Sequence, residues 1–168
     1  NQVKSYTINF VASEGGTVEG KTEFIAVQDT EFKNAVPISE IPLAQASPDY
    51  KFIGWFVGNE KIGDTAAEIV NHFDLVKENI VITARFESQK KVTISYASEN
   101  LTMGTVDPTS ESLQPQTGIA QGATATANVG YRFVNWTYKG NVVSQNSKLD
   151  RNTIDQYAKE NGSYIDAT

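Results

Sequence analysis

Apolar residues alternate with polar ones from Val3 to Val11, around Tyr6, Ile8 and Phe10, and a period of two is the mark of a half-buried β-strand. Glu14-Gly15-Gly16 then turns the chain, and Thr17 to Val27 reads as a second, bulged strand that closes a hairpin. Pro37, Pro42 and Pro48 break the next stretch, so residues 33–49 are expected to cross irregularly, with a short helical turn at most. Lys51 to Val57 is rich in β-formers, and Gly58-Asn59 is a two-residue turn into Glu60-Lys61-Ile62. At Thr65 the period changes: a capping-box spacing to Glu68, followed by Ala66, Ile69, Val70 and Phe73 on one stripe, predicts a helix over 65–77. A strand over 80–86 ends the series.

The same series returns in the second half. Tyr50-Lys51-Phe52-Ile53-Gly54-Trp55 matches Tyr131-Arg132-Phe133-Val134-Asn135-Trp136 at an offset of 81, and Tyr6-Thr7-Ile8-Asn9-Phe10 matches Val92-Thr93-Ile94-Ser95-Tyr96 at 86. Gly16-Thr17-Val18 pairs with Gly104-Thr105-Val106 at 88, and Ile82-Thr83-Ala84-Arg85 with Ile165-Asp166-Ala167-Thr168 at 83. Blocks matched in one order, with offsets that drift only between them, indicate a duplicated unit with loop insertions. The copies are residues 1–88 and 89–168, the second expected to stop just before its last strand residues. Its helix is placed over 147–160, with Ile154, Tyr157 and Ala158 as the apolar face and Asn161-Gly162 as a stop, followed by a strand over 163–168. One helix per copy must bury its stripe against a sheet, so each copy is expected to be a small α+β unit, a mixed sheet of hairpins with one helix packed across it.

These residues resemble a known family. Phe10 with Gly15-Gly16-Thr17-Val18, the Tyr50–Trp55 block and Ile82-Thr83-Ala84-Arg85-Phe86 are similar to the Listeria/Bacteroides repeat, or internalin B-repeat. Gly104-Thr105-Val106-Asp107-Pro108 and Gly130-Tyr131-Arg132-Phe133-Val134-Asn135-Trp136 resemble its divergent branch, the bacterial repeat domain. The resemblance implies a β-grasp-like fold. It also implies a multidomain protein exported to a bacterial surface and often wall-anchored, in which such repeats act as stalks or in adhesion. Asn135 departs from the family's Gly before the Trp, and the first copy has a longer Pro-containing middle.

Composition narrows the chemistry. The net charge of -6 lies wholly in residues 1–88, which hold 7 Lys/Arg against 13 Asp/Glu, while residues 89–168 hold 7 of each. An acidic chain without a basic stripe repels phosphate backbones, so nucleic acid is not an expected partner. With no Cys and a single His, thiolate metal sites and Cys nucleophiles are impossible, and His72, at the edge of a predicted helix, has no second His or nucleophile motif beside it. No apolar run reaches the roughly 20 residues of a membrane span. The expectation is a non-enzymatic extracellular repeat pair that binds no cofactor or metal, monomeric as part of a longer chain.

Trp55 and Trp136 carry the main choice. Alternation places Tyr50, Phe52 and Phe56 on one face of their strand and Ile53, Trp55 and Val57 on the other. Recurrence of Trp among changed neighbours favours packing. The alternative is a platform for a host or neighbouring-cell glycan or protein, formed by Trp55, Trp136, Tyr131 and Tyr138. A hydrolase using paired carboxylates is the third reading, and an isopeptide bond from Lys4, Lys51 or Lys61 would be a stalk-type modification.

Overall fold

The computed structural model describes residues 2–168 and divides into two compact units, Asn1–Gln89 and Lys90–Thr168. Both are mostly β with few helical residues. The first contains β1 (Ser5–Ala12), β2 (Gly16–Glu19), β3 (Glu23–Val27), α1 (Phe32–Ala35), a 3-10 turn (Ile38–Glu40), β4 (Leu43–Ala46), β5 (Tyr50–Val57), β6 (Glu60–Gly63), α2 (Ala66–His72) and β7 (Ile80–Ser88). Its main sheet runs β3-β1-β7-β5-β6, parallel only between β1 and β7.

Central position explains the composition of β7. Ile80, Ile82, Ala84 and Phe86 are buried on one face, and the core collects Ile8 and Phe10 from β1, Phe24 and Ala26 from β3, Trp55 from β5 and Ile69 from α2. The α2 helix starts where the capping residues put it, with Thr65 Oγ1 accepting from the Glu68 amide at 3.2 Å. It ends earlier than the periodicity suggests. Phe73 has already left helical geometry (φ -102°, ψ 145°) and instead stacks its ring on Phe32 at 4.5 Å.

Three further expectations fail in this unit, each for a local reason. The single strand expected over 17–27 is two strands, because Gly20 (φ 122°) redirects the chain, so that β2 pairs with β4 while β3 pairs with β1. Residues 33–49, expected to be irregular, supply β4 itself, which begins directly after Pro42. Strict alternation along β5 breaks at a bulge: Phe52 faces Phe86 and Gly54 faces Arg85, leaving Ile53 as the extra residue. Phe52 and Trp55 therefore share the core face, their rings 5.8 Å apart, while Phe56 points outward beneath Arg85, whose guanidinium lies 4.4 Å from the ring centre.

The second unit contains β8 (Val92–Ser95), β9 (Gly104–Asp107), β10 (Ser110–Leu113), β11 (Ala123–Ala127), β12 (Trp136–Tyr138), β13 (Asn141–Ser144), β14 (Lys148–Leu149), α3 (Arg151–Tyr157), β15 (Lys159–Glu160) and β16 (Ser163–Tyr164). Much of the first unit's pairing recurs. β10 pairs with β8 as β3 pairs with β1, β9 with β11 as β2 with β4, and β12 with β13 as β5 with β6, with a register shift after the Trp in both hairpins. No five-stranded sheet forms, and the pairs remain as small separate sheets.

Here too the sequence reading needs correction. The helix is shorter than 147–160: Asp150 caps α3 by accepting from the Thr153 amide at 2.9 Å, because Lys148 and Leu149 are committed to pairing with β11. Asn161-Gly162 is a two-residue hairpin turn (φ 50° and 80°) between β15 and β16 rather than a helix stop. Residues 163–168 contain only β16 and a parallel bridge from Ala167 to Ile94. The block match at offset 83 also fails. Asn79 Oδ1 accepts from the Thr7 amide at 2.9 Å, and Asp166 Oδ1 accepts from the Thr93 amide at 2.8 Å, so Asp166 takes the place of Asn79 and Ala167 that of Ile80. The second unit thus reaches only the first residues of a β7 equivalent. With no such strand to pair against, Tyr131–Asn135 is not a strand, unlike Tyr50–Gly54.

The bulge fixes one residue identity. Gly54 has φ 131°, and a Cβ there would lie 2.6 Å from Lys61 Cε and 3.2 Å from the Gly63 carbonyl oxygen. Asn135 at the equivalent position is free of that demand, since no bulge forms there. Gly54→Ala is expected to destabilise the first unit by about 1–3 kcal/mol, seen as a lower urea midpoint for that unit, whereas Asn135→Ala should leave the second unit's midpoint nearly unchanged.

Candidate functional site

Of the four aromatic residues singled out by the sequence, Trp136 and Tyr138 share β12 and line one cavity of the second unit, Tyr131 lies on the loop before β12, and Trp55 belongs to the first unit. Trp55 is 3% exposed and meets Phe10 edge-on at 5.6 Å, inside the first core. Trp136 is 8% exposed in the second core, with Tyr96 at 6.3 Å and Phe133 at 6.0 Å, and its indole Nε1 donates to the Ser147 carbonyl at 3.3 Å. A satisfied donor on an otherwise buried ring is the usual arrangement of a packing Trp. Tyr131 is half exposed on the loop between β11 and β12, where its amide donates to the Asn128 carbonyl at 3.0 Å. Tyr138 is partly buried, with Lys139 Nζ 5.2 Å from the centre of its ring. Trp55 is thus enclosed by the first core, whereas Trp136 and Tyr138 both border a cavity of the second unit.

What the second unit does present is a cavity of about 480 Å³ between the β8 edge and β12, closed on a third side by α3. Ile94, Tyr96, Trp136, Leu149, Ile154 and Ala158 supply its apolar wall. Ala167 and Thr168 also line it. Sequence reasoning missed it, because the cavity arises from a difference between the copies rather than from a motif.

A polar cluster adjoins the second core. The Tyr96 hydroxyl donates to Glu111 Oε2 at 2.6 Å, and both Glu111 oxygens also accept backbone amides, Oε1 from Gln121 at 2.8 Å and Oε2 from Gly122 at 2.9 Å. One carboxylate thus ties β10 to β8 and to the 121–122 turn. A second knot involves the Tyr164 hydroxyl, which donates to Asp155 Oδ1 and accepts from the Ala120 amide at 3.2 Å, while Arg151 Nε lies 3.4 Å from Asp155 Oδ2. Burial, followed by the bond to a carboxylate, pushes both tyrosine hydroxyls above their ordinary range. Both phenol protons are thus committed to bonds that hold the fold.

The remaining candidates are dispersed. His72 is exposed at the end of α2, its ring 4.8 Å edge-on from Phe73. Lys4, Lys51 and Lys61 are exposed, Lys61 pairing with Asp64 at 2.8 Å, so none is the buried lysine that an isopeptide bond requires. Among the described residues no three His, Asp or Glu side chains are grouped to hold a metal ion, and no helix is long and apolar enough to cross a membrane.

Two outcomes follow from this geometry. Trp136→Ala should cost the second unit about 3–5 kcal/mol, measured by denaturant unfolding, because the indole is buried in the second core. The second concerns pH: since folding raises the Tyr96 pKa above its ordinary 10.0, its contribution is complete below pH 10 and declines as pH rises past that value. An alkaline titration followed by circular dichroism should show the second unit losing stability there. Tyr96→Phe should flatten that dependence while costing about 1.5–3 kcal/mol at neutral pH.

The divergent InlB B-repeat domain model matches residues 6–90 and again residues 94–160, so the chain belongs to that family and carries it in two copies. No curated protein and no solved structure matches the chain.

Proposed function

From membership in the divergent InlB B-repeat family we propose that this chain is a non-enzymatic repeat pair of a bacterial cell-surface protein, acting extracellularly as a stalk or spacer with a secondary capacity for adhesion. One observation carries the reading: each copy closes its own apolar core and uses the features that recur between the copies, the Trp residues above all, for packing. A module whose distinctive side chains are consumed by its interior is suited to holding neighbours apart. The mixed sheet of the first unit, with α2 contributing Ile69 to its core, supports a β-grasp-like reading of the repeat. Attachment to the cell wall, on this reading, is supplied by regions outside residues 1–168.

The second reading is a binding module for a glycan or protein on a host or neighbouring cell. It draws on Val129, Tyr131 and Val134, all exposed on one loop of the second unit. That loop is also the segment left without a strand partner, which accounts for its exposure without any ligand.

Two measurements test the proposal. Brief protease treatment of intact cells of the source bacterium should remove the epitope recognised by an antibody to residues 2–168, and retention of the epitope would count against a surface location. A glycan array probed with the purified chain should give no signal above background. Binding that disappears in Tyr131→Ala would put the recognition reading first.

A further inference from the structure

The cavity of the second unit occupies the place that β7 fills in the first. In the first unit β7 pairs with β1 on one side, from Ile8↔Ile80 to Ala12↔Ala84, and with β5 on the other, and it sends Ile82, Ala84 and Phe86 into the core. In the second unit β8 stands for β1 and β12 for the end of β5, and between them is open space.

The two edges of that space are prepared for a strand. Ser95 N–H donates to the Ala167 carbonyl at 2.8 Å, and Ala167 N–H donates to the Thr93 carbonyl at 3.2 Å, which sets a parallel direction and a register. The next amides on that edge are Ala97 and Glu99. In the first unit the equivalent of Glu99 is Ser13, whose amide donates to the Ala84 carbonyl of β7 at 2.9 Å, but among the described residues neither Ala97 N–H nor Glu99 N–H has an acceptor. Opposite, Tyr131–Asn135 lacks the cross-strand partner that Tyr50–Gly54 has in Arg85–Ser88. A row of unpaired backbone groups bordering an apolar wall is the standard receptor for an added strand.

We propose that this slot is a strand-acceptor site, whose occupant is an extended segment joined to Thr168 and running parallel to β8 and antiparallel to β12. Its first, third and fifth residues after Thr168 take the places of Ile82, Ala84 and Phe86 and carry apolar side chains. The attached source is favoured over a separate molecule because Thr168 already lines the cavity, so an attached segment enters without closing a loop. A small apolar ligand would fill the volume but would leave the Ala97 and Glu99 amides unpaired.

The test extends the full 168-residue chain by the seven residues of Ile82–Ser88, Ile-Thr-Ala-Arg-Phe-Glu-Ser. Hydrogen exchange at Ala97, Glu99 and the 131–135 segment should slow by about tenfold or more, and the thermal midpoint of the second unit should rise. The same extension with Asp in place of its Ile, Ala and Phe should do neither. Unchanged exchange with the apolar extension, or equal protection by the Asp form, would overturn the proposal. The separate peptide Ile-Val-Ile-Thr-Ala-Arg-Phe-Glu-Ser, added to the unextended chain, addresses the source. Protection by that peptide at micromolar concentration, without protection by the attached form, would also overturn it.

Discussion

Backbone pairing on both sides of one strand organises the first unit. β7 joins the β1–β3 hairpin to the β5–β6 hairpin, and neither hairpin shares a ladder with the other except through it. An isolated two-stranded hairpin is at best marginally stable in water, whereas a sheet of three or more strands with one apolar face can persist. Insertion of β7 therefore converts two weak elements into one sheet, and its alternating buried residues give that sheet a continuous face for α2 to cover. In the second unit the counterpart of that strand is the single parallel bridge of Ala167 to Ile94. Local hairpins survive, their registers survive, and the long pairing of the β5 counterpart does not.

Polar latches have a larger part in the second unit. Glu111 gathers a phenol and two amides, and Asp155 gathers a phenol and a guanidinium, so loops that a broader sheet would hold by packing are held by charge-assisted hydrogen bonds instead. Such bonds carry direction. They fix the 111–122 region against β8 even where the cluster of buried apolar residues is smaller than in the first unit. The phenols in these latches are among the few titratable groups whose proton affinity folding alters, and in both the alteration originates in structural burial.

The duplication, the hairpins around Phe10 and Trp55 and the start of α2 were legible in the sequence, because each rests on a short-range signal: alternation, a two-residue turn or a capping Thr. The features that were not legible are those decided at a distance. Nothing local distinguishes a bulged strand over 17–27 from a chain that changes sheets at Gly20, since the outcome depends on β4 arriving beside β2. The bulge at Ile53–Gly54 moved Trp55 to the same face as Phe52, which period-two counting cannot foresee. Similar side chains misaligned the ends of the two copies. The amides of Thr7 and Thr93, each bonded to the residue before the incoming strand, supply the correct match. Tyr131 and Tyr138 looked equivalent to Trp136 as platform residues only because exposure is a property of the assembled fold.

The parallel pairing of β1 and β7 has a mechanical consequence. These are the first and last strands of the first unit, they are immediate neighbours, and they run the same way. A force drawing the two ends of that unit apart pulls β1 toward its start and β7 toward its finish, so it acts along the strands and across every rung between them at once. Peeling the rungs one by one is not available to such a load. A repeat wired in this way yields only when the whole ladder slides, a geometry suited to a part that carries tension between its neighbours.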